Sequence, residues 1–147
     1  RLVLADALIQ AAKEKPDYIV EFSTLTGAIL VALGDMIAGV MCDNQRFTRL
    51  LERSSEKTCD FLWEMPLFEE YKESIKSKVA HIKNADYKGA SSIKAGLFLK
   101  EFTDNIHFAH IDIAGTAFLS KTNAFYSQQG ATGFGIRLII EFMNWLR

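Results

Sequence analysis

Apolar residues recur at helical spacing in several stretches of this 147-residue chain. Residues 2–15 predict a helix, because the polar residues Asp6, Gln10 and Lys13 form a narrow stripe on an otherwise apolar surface. Pro16 ends that helix. Further helices are predicted over residues 28–33, after the candidate capping residues Asp43 and Asn44, and over 69–76, 93–103 and 135–146.

Short apolar or alternating stretches between these helices predict strands. They cover residues 18–22, 36–42, 79–82 and 107–113, and residues 60–68 are expected to be extended. Strands that alternate with helices indicate an α/β fold, here a mixed, largely parallel sheet flanked by helices in three αβα layers.

Composition narrows the class of protein. The chain is 49% hydrophobic and 24% charged, as in ordinary globular proteins, and its length suits one core. Nucleic-acid-binding domains usually carry an excess of Lys and Arg, whereas this chain has a net charge of −1, so a nucleic-acid partner is not favoured. Two cysteines, Cys42 and Cys59, are too few for a disulfide scaffold and favour a reducing, cytoplasmic setting.

Two features concern the limits of the folded unit. Residues 25–42 contain one charge, Asp35, but glycines split them into short units, so a buried helix–turn–strand is favoured over a membrane span. The chain begins at Arg1 and runs into the first helix without a capping side chain. We therefore expect a partial domain whose first amides are satisfied by residues upstream.

Several patterns suggest chemistry but have a plainer explanation. His107, His110 and Asp112 resemble a metal-ligand set, yet on a strand only His110 and Asp112 share a face, so a structural role is favoured. Ser54 and Ser91 each begin a Ser-x-x-Lys sequence, but the other motifs of serine acyltransferases are absent from the sequence, so a chance occurrence is favoured. The glycine-rich residues 130–135 do not match a P-loop, so close backbone packing before a helix is favoured.

Hydroxyl residues follow the first predicted strand in Ser23-Thr24-Leu25-Thr26-Gly27. The carboxyl edge of an open α/β sheet is where ligands bind, so this segment is a candidate binding loop. Thr24 and Thr26 are equally well explained as helix caps. Both interpretations stay open on the residues alone.

Taken together, five ordered motifs resemble the catalytic domain of the leucyl aminopeptidases, the dinuclear-metal peptidases of the M17 family. The first motif is residues 1–8, in which Arg1 would be the last residue of the family's signature. The others are residues 23–28, Ala38-Gly39-Val40-Met41 with the following Trp63-Glu64-Met65-Pro66-Leu67, residues 109–115, and residues 130–133. The resemblance spans nearly the whole chain and identifies residues 1–147 as the C-terminal part of such a domain, without the N-terminal domain.

The resemblance implies hydrolysis of an unblocked N-terminal residue, often Leu, from a peptide, by water activated on two divalent metal ions, Mn or Zn. Arg1 would be the catalytic arginine that holds a bicarbonate ion acting as general base. Thr24, Leu25 and Gly27 would bind the substrate, and Ala114 would line the pocket for its first side chain.

The resemblance also implies what these residues do not contain. The family's metal ligands lie upstream of the position of Arg1, so no metal ligand is assigned here and the 147 residues alone are expected to be inactive. Intact family members assemble as hexamers in the cytoplasm. Glu21-Phe22-Ser23 departs from the family's usual residues. The alternative hypothesis is a non-catalytic scaffold, or a DNA-binding regulatory role.

Overall fold

The computed structural model describes residues 1–85, 89–123, 125 and 129–147. Its helices are α1 (Leu2–Lys13), α2 (Gly27–Leu33), α3 (Gln45–Thr58), α4 (Lys72–Ile75, after a 3-10 turn over Glu69–Tyr71), α5 (Ser91–Lys100) and α6 (Ile136–Trp145). Its strands are β1 (Tyr18–Ser23), β2 (Ala38–Cys42), β3 (Leu62–Glu64), β4 (His107–Asp112), β5 (Phe118–Leu119) and β6 (Gly130–Ala131). None of the helices described is long and apolar enough to cross a membrane.

Four of the strands form one mixed sheet in the order β1-β4-β2-β3. The β1–β4 and β2–β3 pairs are parallel, and β2 runs antiparallel to β4. The short strands β5 and β6 pair separately. The predicted mixed, largely parallel sheet is confirmed.

Helices cover both faces of this sheet. On one face, Leu8 of α1 and Leu97 of α5 pack with Phe108 of β4. On the other face, Phe47 of α3 and Leu138 of α6 pack into a second buried cluster. These two apolar cores confirm the predicted three-layer αβα arrangement.

Strand β4 contributes to both cores because successive side chains of a strand point to opposite faces. Ala109 and Ile111 pack toward α3 and α6, whereas Phe108 packs toward α1 and α5. His110 and Asp112 lie on the Phe108 face by the same period of two, and both are fully buried. The sequence-based prediction that His110 and Asp112 share a face is confirmed.

A buried polar pair lies on the same face of the sheet as Phe108. Glu21 of β1 stands opposite His110 of β4 in the parallel register. The Glu21 Oε2 and His110 Nδ1 atoms are 2.5 Å apart. Since His110 is fully buried and Glu21 nearly so, each side chain depends on the other for a polar contact. This supports the structural role expected for His110.

The caps of the helices follow the sequence in most places. Asn44 Oδ1 accepts the amide of Phe47 and begins α3, as predicted. Asp43 has a different function, because its Oδ1 accepts the amide of Phe108 across the sheet. Gly34 ends α2 with a φ of +74°, as predicted.

Between residues 69 and 82, the predicted helix is present with an irregular first turn, and the predicted strand is wrong. The helix over 69–76 is a 3-10 turn followed by the four-residue α4, and the strand over 79–82 is reduced to one bridge between Lys76 and Ile82. Ser77 Oγ accepts the amides of Val79 and Ala80, which bends the chain into a turn. The apolar alternation there has no neighbouring strand to pair with among the residues described.

We predict that replacing Glu21 by alanine lowers the free energy of unfolding by about 3 kcal/mol, because it leaves His110 buried without its polar partner. Urea unfolding of the variant, followed by circular dichroism, measures the change. Glu14→Ala is the matched control, since Glu14 is exposed at the end of α1 and should cost less than about 0.5 kcal/mol. Equal losses in the two variants would contradict this account of the pair.

Candidate functional site

Two loops meet at the carboxyl edge of the parallel pair β1 and β4. Ser23 ends β1 directly opposite Asp112, which ends β4. The amide of Ile113 donates to the carbonyl oxygen of Ser23 at 2.9 Å, so the pairing continues one residue beyond the strands. The loop over residues 24–27 and the turn over 113–115 therefore start side by side.

The carboxylate of Asp112 connects these two segments. Its Oδ1 accepts the amide of Leu25 at 3.1 Å and the amide of Ala114 at 3.2 Å. Its Oδ2 accepts the hydroxyl of Thr26 at 2.6 Å. Hydrogen bonds to an ionised carboxylate are stronger than neutral ones, and Asp112 is fully buried, so water does not compete for them.

Helix α5 joins the same network through a serine. The hydroxyls of Ser92 and Thr26 are 2.6 Å apart. A hydroxyl has one proton, and that of Thr26 is directed at Asp112, so Ser92 is the donor to Thr26. Thr26 Oγ1 also accepts the amide of Ile29 at 3.4 Å and caps α2. We call Asp112, Thr26, Ser92 and the amides of Leu25 and Ala114 the Asp112 network.

Arg1 lies at the start of α1, next to this network. Its Nη1 donates to the carbonyl oxygen of Asn84 at 2.7 Å, and its Nη2 is 3.5 Å from that of Ser91. Burial lowers the pKa of the Arg1 guanidinium from its usual value, and the nearby charge of Asp112 offsets part of that effect. Arg1 is half-buried and held by these backbone carbonyls.

The other predicted site residues lie at this edge of the sheet. Thr24 and Gly27 are exposed, and Leu25 and Ala114 are half-buried. A Cβ built at Gly27 would meet no described atom within 4 Å, so the backbone there is open on that side. The structure thus places Thr24, Leu25, Gly27 and Ala114 at one edge of the sheet, and the amides of Leu25 and Ala114 contact the Asp112 carboxylate. We call these four residues the substrate wall, after the role that the family resemblance predicts for them.

The sequence analysis weighed Asp112 as a metal ligand and favoured a structural role, but it did not identify the two loops that this carboxylate joins. The available signal was an acidic residue at the last position of a buried strand, directly before a loop. In the described part of the chain, no group of three or more His, Cys, Asp or Glu side chains is arranged to hold a metal ion. The ring of His107 stacks on Tyr18 with centroids 5.9 Å apart, away from Asp112.

The remaining candidate motifs have structural roles. Ser54 Oγ donates to the carbonyl oxygen of Leu50 within α3, so its hydroxyl is occupied by the helix itself. The glycine-rich segment before α6 packs closely, as expected, because a Cβ at Gly135 would lie 2.6 Å from the ring of Phe22. The buried carboxylate of Asp60 accepts the Gly135 amide and fixes this junction.

Gly115 fixes the position of the turn that contains Ala114. A Cβ at Gly115 would lie 2.1 Å from the carbonyl oxygen of Gly34 at the end of α2. Only a glycine permits this approach. The turn after β4 and the helix after β1 are therefore packed backbone against backbone.

A small cleft opens beside the Asp112 network, between α2 and the start of α5. Its volume is about 170 Å³, and small side chains line most of it: Ala28, Ala32, Ala90, Ser91 and Ser92, with Met65 and Ile93. A larger cleft of about 410 Å³ lies between α1 and the end of α5, near His81 and Phe102. No residue of the substrate wall lines either cleft, and Ser92 is the link between the smaller cleft and the Asp112 network.

The fold and this loop arrangement define an α/β domain with a site at the carboxyl edge of its sheet. The sequence profile of the cytosol aminopeptidase family, catalytic domain, matches residues 1–140. The chain therefore belongs to the M17 cytosol aminopeptidase family, as the motifs indicated.

Individual proteins agree with this assignment. The chain is 46% identical over 144 residues to a probable cytosol aminopeptidase of Geobacter sp. (strain M21), covering 98% of this chain and 29% of that protein. It is 47% identical over 146 residues to that of Prochlorococcus marinus (strain MIT 9211), covering 99% of this chain and 29% of that one. It spans less than a third of the length of these relatives.

A solved structure is also similar. A point mutant of tomato leucine aminopeptidase superposes with a TM-score of 0.88 at 37% sequence identity, over 96% of this chain and 27% of that chain. At this identity, the shared fold and the shared family are consistent with each other.

We predict that Gly115→Ala lowers the free energy of unfolding by about 2 kcal/mol, because the added methyl forces the turn away from Gly34. Gly27→Ala is the matched control, since its Cβ points into open space, and it should change stability by less than about 0.5 kcal/mol. Urea unfolding of both variants gives the comparison. A Gly115→Ala variant as stable as Gly27→Ala would show that the close approach is unimportant.

Proposed function

We propose that the protein containing these residues is an aminopeptidase that removes an unblocked N-terminal residue, Leu among them, from peptides. The main support is that the 24–27 loop and the 113–115 turn both contact Asp112, so the residues of the substrate wall lie along one edge of the sheet. Membership of the cytosol aminopeptidase family supports the reaction class.

In this proposal, the substrate wall binds the end of the peptide. Thr24, Leu25 and Gly27 bind the substrate, and the exposed backbone at Gly27 leaves room for a peptide to approach. The Leu25 amide already donates a hydrogen bond to the Asp112 carboxylate, so this amide holds the loop. Other backbone groups of the loop face the peptide in this proposal. Ala114 lines the pocket for the first side chain, where its single methyl leaves space for Leu.

Arg1 is the proposed catalytic residue, holding bicarbonate. A guanidinium has five N–H donors in a planar fork that suits a planar oxyanion. Two of its nitrogen atoms face the carbonyls of Asn84 and Ser91, which orients the group and leaves further N–H donors for an anion. A bicarbonate ion held by Arg1 would supply a general base for the proton of the attacking water.

In this proposal, the two metal ions, Mn or Zn, take their ligands from a segment of the protein other than the described residues. The described residues offer no group of three or more side chains suited to hold such an ion. We therefore assign no step of the reaction on these residues to a metal. The role of this chain is to bind the peptide and to hold Arg1.

We propose that the intact protein is a homo-oligomer, a hexamer, of cytosolic location. Several apolar side chains on the outer faces of the described helices and loops support a covered surface: Leu2, Val3, Phe118, Ile136, Ile140 and Trp145. Residues 1–147 are then the C-terminal part of the catalytic domain in each subunit.

We predict that Ala114→Val in the full-length gene product lowers kcat/KM for Leu-amide about tenfold more than for Ala-amide, because the added methyls take space needed by the larger side chain. Steady-state kinetics with the two substrates measure this ratio. Val31→Ala is the control, since Val31 is almost fully exposed on α2, and it should leave the ratio unchanged. An equal loss of kcat/KM for both substrates would show that Ala114 does not line the pocket for the first side chain.

We predict that the 147-residue polypeptide by itself does not hydrolyse Leu-p-nitroanilide in the presence of Mn²⁺ or Zn²⁺, because its described residues provide no metal-ligand set. Absorbance of released p-nitroaniline measures the rate, and circular dichroism establishes that the polypeptide is folded. Metal-dependent release of p-nitroaniline by the folded polypeptide would contradict the proposal that the metal ligands come from another segment of the protein.

A further inference from the structure

We propose that Asp112 is a positioning residue for peptide hydrolysis, which holds the 24–27 loop and the 113–115 turn in the relative placement that substrate binding needs. The proposal rests on the proposed function. It gives Asp112 a role in the reaction without contact with the reacting atoms.

The geometry of the carboxylate carries this inference. One oxygen accepts two amides, one from each segment, so the distance between Leu25 and Ala114 is fixed by a single atom. The other oxygen accepts the hydroxyl of Thr26, at the start of α2. Three donors surround a fully buried carboxylate, which leaves it directed at protein groups and away from a ligand.

Besides the contacts of Asp112, the two segments are held by the packing of Gly115 against Gly34 at the end of α2 and by few hydrogen bonds. Among the backbone hydrogen bonds of the described residues, only the bond from the Ile113 amide to the Ser23 carbonyl links them directly. That bond lies at the base of both loops, where the strands end. Among the described residues, the hydrogen bonds between the loops beyond this base run through Asp112. Gly115 packs the turn against α2, and Asp112 sets the distance between Leu25 and Ala114 within that packing.

The network also reaches the proposed catalytic arginine. Ser92 donates to Thr26, and the neighbouring residue Ser91 presents its carbonyl oxygen to Arg1. Asp112 is thus connected to Arg1 through α5 as well as through its charge. Moving the carboxylate would disturb the substrate wall and the arginine together.

The experiment replaces Asp112 by asparagine in the full-length gene product and compares it with Asp43→Asn. Asp43 is a matched control because its carboxylate also accepts an amide of β4, that of Phe108, but at the opposite edge of the sheet. We expect Asp112→Asn to lower kcat/KM for Leu-amide about a hundredfold, mainly in kcat, since small displacements in a site are costly to rate. Asp43→Asn should retain the wild-type value within about twofold.

Amide hydrogen exchange gives a readout that does not depend on activity. Asparagine is a neutral and therefore weaker acceptor than a carboxylate. We expect Asp112→Asn to accelerate exchange at the amides of Leu25 and Ala114, and Asp43→Asn to accelerate it at Phe108 only. Kinetic losses that follow the thermal midpoint equally in both variants would overturn a positioning role.

A second pair of variants covers the case in which Asp112→Asn fails to fold. Thr26→Val removes the hydroxyl that donates to Asp112 and should lower kcat/KM about tenfold, whereas Thr26→Ser keeps it and should restore the rate to within about twofold. Equal rates for the valine and serine variants would overturn the proposal.

The same measurements separate this inference from the proposed function. A wild-type protein that cleaves no Leu-amide contradicts the proposed function, while faster exchange at Leu25 and Ala114 in Asp112→Asn still supports the placement of the loops by Asp112. An active wild type with unchanged exchange and rate in Asp112→Asn overturns the inference alone.

Discussion

The parallel pairing of β1 with β4 is the constraint on which the rest of this structure depends. The two strands lie almost 90 residues apart in sequence, and their register places Ser23 opposite Asp112. That single alignment brings the loop after β1 and the turn after β4 to the same edge. It also places Glu21 opposite His110, so the register decides both the site and the buried polar pair.

The layer between the sheet and α5 is unusually polar for a buried layer. Glu21, His110, Asp112, Thr26 and Ser92 are all buried within it, beside a well-packed apolar cluster. Burying such groups is costly unless they are hydrogen-bonded, so the contacts must be geometrically specific. This layer therefore buries less apolar surface than a fully apolar one would, and its hydrogen bonds define the placement of the loops that leave the sheet.

Much of the fold could be predicted from the sequence because its local signals agree with its tertiary structure. Three local signals each act within a few residues: the largely apolar surface of α1, the cap at Asn44 and the helix end at Gly34. The prediction failed for residues 79–82, where the alternation of Val79 with its neighbours resembled a strand. A strand needs a partner, and Ser77 instead closes a turn there.

The sequence by itself determined the α/β class, the ordered motifs of the family and the candidate binding loop, since these depend on residue type and short spacing. Only the tertiary structure decided that Asp112 joins Leu25, Thr26 and Ala114. It also decided that Arg1 is half-buried against the carbonyls of Asn84 and Ser91. Those contacts link residues tens of positions apart, so they follow from strand register and helix packing, which local patterns do not encode.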